Sequence, residues 1–346
     1  MNLLTDFHHN SLLRSLVLLF EKRLDIDVYR PIGLDWYHEG FWAINDNLDT
    51  AKQFLDIKSS TPADKTPPLN IVNLSNSKGI SHVFDPGYST THKAILLNSF
   101  KEMKFDYVLA SIPQHIPLFQ KLIEKYQPQA KLIVQIGNNW PSHIVDNLNV
   151  LASVKPGSFN NSNVVYYHQE FDIEIFKPIK VNQSNNISSY INILQNMKQG
   201  WSDFLGLEHL LMDDIYFKSY GGQCRDGSIA GSNQLAKSMQ DNDFIFHVKD
   251  GGDGYGHILY NAYACGKPVI IRSSMYENCL GNELFNENNC INLDKMSIEQ
   301  ASNRIKEVCS NKEILNEMSI KAYESFNNNV DFAFDAEKVR NWLGNL

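Results

Sequence analysis

Residues 241–272, DNDFIFHVKDGGDGYGHILYNAYACGKPVIIR, constrain the fold of this chain more than any other stretch. The apolar run at 244–248 reads as a strand, and it stops at a loop containing Gly251, Gly252, Gly254 and Gly256. A helix follows at once to about Cys265, and 268–272 reads as a second strand. Strand, glycine turn, helix and strand at this spacing form a parallel β-α-β crossover, which belongs to a sheet covered on both faces. Glycines at such a turn let a ligand approach the backbone, and the free amides and positive dipole end of the helix favour a phosphate. On the glycines alone, a plain β-α turn is an equal reading.

The same alternation runs through the rest of the chain. A strand at 2–5 leads to a loop holding Asp6, His8, His9 and Asn10, then to a helix on which Leu12, Leu13, Leu16, Leu19 and Phe20 share a face, then to a strand at 27–29. A second unit has strands at 106–111 and 131–136 around a helix at 116–126, with loops at 113–115 and 137–140 closing the strands. Residues 31–70, with Trp36, Tyr37, Phe41 and Trp42 followed by a proline-rich segment, break the rhythm and read as an insertion. That aromatic cluster either seals the insertion against the core or stacks on a ring. From about 150 to 187 the composition shifts to Asn, Ser, Gly and Pro, which marks an interdomain junction. Beyond it, strands at 189–194, 215–219, 244–248 and 268–272 alternate with helices at 201–212, 232–239 and 256–265, and the final segment is helical. The fold class is therefore α/β with doubly wound sheets, whose ligands sit beyond the carboxyl ends of the strands.

Composition narrows the partners. A chain of 346 residues suits two medium domains, and 31 Lys plus Arg against 39 Asp plus Glu give a formal charge of -8, so the whole protein is no trap for a phosphate backbone, although a local basic groove stays open. No apolar run approaches the roughly 20 residues of a membrane span, so neither a transmembrane helix nor a signal peptide is expected. Five cysteines without C-x-x-C spacing point to reduced thiols in a cytoplasm and to no structural zinc. No His-x3-His pair stands on a helix, no Asp-x-Asp of the kind that holds a divalent ion together with a phosphorylated ligand is found, and Asp213-Asp214 lacks a third ligand, so no metal site is expected.

The run Asp253, Gly254, Tyr255, Gly256, then Asn261, Ala262, Tyr263, Ala264, Cys265, Gly266, Lys267, Pro268, Val269 resembles the donor-binding domain of GT-B glycosyltransferases, the retaining type with a Glu-x7-Glu element. The spacing is intact, with Asp253 in place of the first glutamate and Asn261 in place of the second, which in that family binds the donor ribose. An amide still hydrogen-bonds a diol, more weakly than a carboxylate. Asp172, Phe176, Lys177 and Pro178 resemble the family's interdomain signature, read here as linker packing. Lys198, followed by Gly200, matches the lysine that grips the donor pyrophosphate, while Gln195-Asn196 occupies the place of the usual Gly-Arg. Arg225 stands as a second cation.

The resemblance implies two Rossmann-like domains facing a cleft: 1–165 for the acceptor, 166–325 for the nucleotide sugar, and a C-terminal helix within 326–346 that packs back on the first. It implies transfer of a sugar from a UDP-, GDP- or ADP-linked donor to an acceptor hydroxyl, metal-independent and retaining, without a separate cofactor. The donor residues are then Lys198, Arg225, Gly252, Asp253, Gly254, Tyr255, Gly256, His257 and Asn261. His8, His9 and His115 are the catalytic candidates, each with the alternative role of capping a helix. The acceptor is a glycan, a small molecule or modified DNA. Two alternatives accompany this reading: transfer to hydroxymethylated bases of viral DNA, in a host cytoplasm, and sugar-nucleotide binding without catalysis, motivated by the two replaced glutamates.

Overall fold

The computed structural model describes residues 1–6, 10–31, 70–75, 80–85, 90–138, 145–159, 163–181 and 183–346. They divide into two compact units, Met1–Phe171 with Phe332–Leu346, and Asp172–Asp331. His8, His9, Asn139, Trp140 and most of the expected insertion, including Trp36 to Trp42, lie outside the described residues.

The first unit is built on a nine-stranded sheet. In chain order it contains β1 (Asn2–Thr5), α1 (Asn10–Leu16) continued by a π-helical segment (Val17–Arg23), β2 (Asp27–Pro31), β3 (Asn70–Ser75), β4 (Ile80–Asp85), β5 (Thr90–Ile95), α2 (Leu97–Glu102), β6 (Tyr107–Ala110), α3 (His115–Tyr126), β7 (Lys131–Ile136), β8 (Asn149–Ala152) and β9 (Val164–Tyr166). The sheet order is β3-β4-β5-β2-β1-β6-β7-β8-β9. Only the β3-β4 and β4-β5 pairs are antiparallel. From β1 the chain steps to β2 on one side and later to β6 on the other, so the loops leaving β1 and β6 diverge and open a crevice at the strand ends.

Side-chain alternation explains the apolar strands. Leu3, Leu109, Ile133 and Leu151 pack against Leu12, Leu16 and Phe20, and against Val339 and Leu343 of the C-terminal helix. Leu4, Val108, Val134 and Val150 point to the opposite face, against Phe100, Phe105 and Phe119. Both faces are buried, as a parallel sheet between helical layers requires.

The C-terminal helix (Phe332–Leu343) belongs to this unit. A buried carboxylate pins it: Asp335 accepts from the backbone N–H of His168 at 2.8 Å, pairs with His168 Nδ1 at 2.7 Å, and meets Lys338 Nζ at 2.6 Å.

The second unit contains β10 (Asn186–Ser189), α4 (Lys198–Leu211), β11 (Tyr216–Ser219), α5 (Gly231–Gln240), β12 (Phe244–Phe246), α6 (His257–Ala264), β13 (Val269–Ile271), β14 (Cys290–Asn292), α7 (Ile298–Ser310) and α8 (Lys312–Asn329). Its sheet is wholly parallel in the order β11-β10-β12-β13-β14, and the order reverses at β10 and β12. Ile187, Phe217, Phe246 and Ile270 face Phe204, Leu207, Ile305 and Val308 in one apolar cluster. All five cysteines are unpaired and buried.

The units divide at Phe171/Asp172, within the stretch from 150 to 187 read as a junction, and the earlier part of that stretch carries β8 and β9, which complete the first sheet. One strand needs correction. The strand expected at 189–194 is β10 at Asn186–Ser189; Ile193 instead adopts φ 53° and its N–H is bound by Gly222 O at 2.9 Å. The three-residue strand β14 went unread because it is too short to show a period.

Burial alone would raise the Asp335 pKa, but the hydrogen bond and charge of His168, with Lys338, outweigh it and hold the carboxyl below its usual 3.8. The contribution of Asp335 is therefore present above about pH 4 and lost as pH falls through the lowered folded value. We expect Asp335→Ala to destabilise the first unit by about 3 kcal/mol at pH 7. Denaturant unfolding should show that loss shrinking as the buffer is taken below pH 4; a loss that stays constant would contradict the pairing.

Candidate functional site

The reversal of strand order at β10 and β12 brings three loops to the carboxyl end of the second sheet, and close backbone contacts fix them. Gly200, in the first turn of α4, lies so near the end of β12 that a Cβ there would stand 2.3 Å from Val248 O. Asp250 locks this contact by accepting from the amides of Gln199 (3.1 Å) and Gly200 (3.0 Å), and so caps a helix whose own N-cap residue, Met197, provides no side-chain bond. Gly252, at φ +79°, would place a Cβ 2.2 Å from Met275 O. Gly256, also at φ +79°, is the N-cap of α6. Asp253 and Gly254 complete the loop.

Asp253 is not a free carboxylate. Lys249 Nζ donates to it at 2.6 Å and His247 Nε2 lies at 3.3 Å. Burial opposes ionisation, yet His247 and Lys249 together hold its pKa far below the ordinary carboxylate range. His257, first in α6, is pushed by burial down to about 4, against the pull of Asp253, so its imidazole is neutral at pH 7. Tyr255 stacks on Tyr260 with centroids 4.4 Å apart and meets the His257 ring edge-on at 4.9 Å.

Four buried polar atoms at this end of the sheet have no hydrogen-bond partner among the described residues: Gln195 Oε1 after β10, Ser219 Oγ at the end of β11, His247 Nδ1 after β12, and Asn261 Oδ1 in α6. Each such group costs on the order of 1–3 kcal/mol if it stays unsatisfied. Of the residues read as donor ligands, Gly252, Asp253, Gly254, Tyr255, Gly256, His257 and Asn261 lie together on the loop and α6, and Lys198 is exposed at the start of α4. Arg225 is engaged elsewhere: it pairs with Glu208 at 2.8 Å and donates to Phe217 O at 2.9 Å, tying its loop to α4. The residues of the expected linker signature open the second unit, where Phe176 N–H is bound by Asp172 O and Phe176 is buried.

In the first unit, the crevice beside β1 holds a compact polar cluster. Asp6, 2% exposed, accepts from Ser111 N (2.8 Å) and Ser111 Oγ (2.5 Å) and pairs with His115 Nδ1 at 2.9 Å. This pairing orients the imidazole from the carboxyl end of β1. A second network at the ends of β7 and β8 joins Gln135 Nε2 to Ser153 Oγ and Tyr167 OH, both at 3.2 Å, and Gln169 Nε2 to Ser153 Oγ at 2.6 Å. Sequence reading did not single out Asp6 as the partner of His115, or His247 and Lys249 as partners of Asp253. The available signal was position, since Asp6 and His247 each directly follow a strand bordering a reversal of strand order. No group of three or more metal-ligating side chains converges among the described residues, and no described helix is long and apolar enough to cross a membrane.

Compared by sequence, the chain matches no family model and no curated protein. Compared by structure, it is similar to TarM of S. aureus (TM-score 0.64, 12% identity, 99% of this chain and 98% of that one). It is similar to HepE of Anabaena in complex with UDP-glucose (TM-score 0.62, 11% identity, all of both chains). It is also similar to an alpha-glucosyltransferase in complex with UDP and a 13-mer DNA containing an HMU base (TM-score 0.62, 10% identity, 99% of both chains). At these identities the likeness is one of fold, and the fold is GT-B.

The loop geometry separates two adjacent glycines. Gly251 has φ +80° with nothing near its would-be Cβ, whereas Gly252 adds a collision with backbone. Gly251→Ala should cost about 1 kcal/mol of strain, and Gly252→Ala at least about 1 kcal/mol more from overpacking. Thermal unfolding of the two variants checks the order; equal losses would contradict the close approach to Met275.

Proposed function

We propose that this chain, with its GT-B fold, moves a sugar from a nucleotide-sugar donor to an acceptor hydroxyl, retaining the anomeric configuration and requiring no divalent ion. The observation that carries the reading is the set of partnerless buried atoms around the glycine loop, with Asn261 Oδ1 foremost. It is an acceptor, 6% exposed, at the position whose family counterpart binds the donor ribose, and a ribose hydroxyl is the donor it lacks. The amides of the Gly252–Gly256 loop and the start of α6 suit a diphosphate, with Lys198 adding charge. Neutral His257 offers a hydrogen bond to a phosphate or sugar oxygen rather than a second cation. As the glycosidic bond breaks, the helix dipole and Lys198 stabilise the charge that develops on the departing diphosphate.

UDP is the favoured leaving group, because HepE and the alpha-glucosyltransferase carry UDP in their complexes. The acceptor is assigned to the first unit, where Asp6 holds His115 in one orientation, so that His115 can donate to or accept from a sugar or acceptor hydroxyl. Five buried free thiols fit a cytoplasmic compartment. The DNA complex of the alpha-glucosyltransferase supports a second reading, in which the acceptor is a hydroxymethylated base; the net charge of -8 weighs against it.

In a thermal-shift screen against UDP, GDP, ADP and CMP, UDP at about 100 times its Kd should stabilise the protein by about 2.7 kcal/mol. Asn261→Ala should weaken UDP binding about fivefold, the worth of one neutral hydrogen bond. No shift with any nucleotide would overturn the donor site. Binding without donor hydrolysis or transfer to glycan or hydroxymethylated DNA would leave a non-catalytic binding protein. Where transfer occurs, proton NMR should show the donor's anomeric configuration in the product, formed at an unchanged rate in EDTA.

A further inference from the structure

A groove of about 300 Å³ opens on the second unit, lined by Asn186 and Ser188 of β10, Lys218 of β11, Tyr220 after it, Lys237 and Ser238 of α5, and Asp241 and Asn242 before β12. It shares no residue with the glycine loop or α6. The local cause lies in β10. An interior parallel strand buried on both faces is ordinarily apolar throughout. β10 sends Ile187 into the apolar cluster but turns Asn186 and Ser188 to the opposite face. β11 does the same, with Phe217 inward and Lys218 toward the groove.

The floor of the groove is a preorganised polar network. Ser188 and Asn242 are 2% and 3% exposed. Ser188 Oγ donates to Asn242 Oδ1 at 2.7 Å, Asn242 Nδ2 donates to Tyr190 OH at 3.2 Å, and Tyr190 OH bonds Ser238 Oγ at 2.8 Å. Tyr190 in turn stacks on Tyr220, centroids 5.8 Å apart and planes 16° from parallel, so the Tyr220 ring is held as a fixed wall. Lys218 and Lys237 reach the same groove from the sheet and from the helix, both are exposed, and neither has a carboxylate partner among the described residues.

We infer that this groove is a second binding site, separate from the donor loop, for a small phosphorylated sugar. Two ammoniums against the single carboxylate of Asp241 leave the groove net positive, and they recognise a phosphate as point charges. The hydroxyls of Ser188 and Ser238 and the amide of Asn186 match sugar hydroxyls, and the Tyr220 face suits the C–H face of a pyranose. The volume lies at the bottom of the range for small-ligand pockets and suits a single phosphorylated sugar. The inference does not depend on the proposed transferase activity.

The test uses the full chain and calorimetric titration with glucose 6-phosphate, glucose and inorganic phosphate as separate probes. Glucose 6-phosphate should bind at least about tenfold more tightly than either glucose or phosphate. Lys218→Ala and Lys237→Ala should each weaken it about tenfold, the scale of one hydrogen bond to a charged group. Both lysines are exposed, so the thermal midpoint of each ligand-free variant should match the wild type, and saturating UDP should not displace the sugar phosphate. Phosphate binding as tightly as glucose 6-phosphate would reduce the groove to a bare anion site and overturn the inference. So would the absence of glucose 6-phosphate binding at about 10 mM, affinity unchanged in both lysine variants, or competition by UDP.

Discussion

The contact on which the second unit depends is the one between the first turn of α4 and the end of β12. Gly200 rests on Val248 O at a distance no Cβ allows, and Asp250 clamps the amides of Gln199 and Gly200 from the other strand's loop. That pair of contacts sets where β12 must turn. The chain then has one way to continue: Gly252 under Met275, and Gly256 in the left-handed conformation that starts α6. The glycines and Asp250 are thus one constraint expressed at four positions, and α6 inherits its direction from it.

The two sheets treat their polar groups differently at the crevices where strand order reverses. Beside β1, Asp6 is fully engaged by Ser111 and His115. Such a cluster is rigid, and it presents an oriented imidazole. At the end of the second sheet, by contrast, Gln195, Ser219, His247 and Asn261 each leave a buried atom without a partner among the described residues, while Asp253 is satisfied by Lys249 and His247. Unsatisfied buried atoms are costly and rare in folded proteins. Their concentration at the carboxyl end of one sheet is what a ligand-binding surface requires. For Asn261, a neutral amide is less expensive to bury unpaired than a carboxylate.

Much of this was readable from the sequence where the signal is local. The glycine loop, α6 and β13 follow from a contiguous run in which glycines, helical spacing and β-branched residues agree. The strands without a reading in the sequence were NIVNLS, ISHVFD and TTHKAI, which follow the proline-rich segment, and the shorter NVLA and VVY in the first unit and CIN in the second. β10 was misplaced because Ile191 and Ile193 look like strand residues, yet the chain has already left the sheet and Ile193 is 38% exposed. Long-range partners account for the rest. Arg225 looks like a phosphate ligand until Glu208, on α4, is seen to hold it, and Asp6 gives no sign in sequence that Ser111 and His115 will close around it.

The central claim is that the glycine loop and the start of α6 receive a nucleoside diphosphate. Amide hydrogen exchange of the full chain, with and without saturating UDP, tests it most directly. Exchange should slow at residues 251–258 and around Asn261, with the amides of Gln199 and Gly200 little changed because Asp250 already holds them. Slowing confined to other segments, or none anywhere, would contradict it.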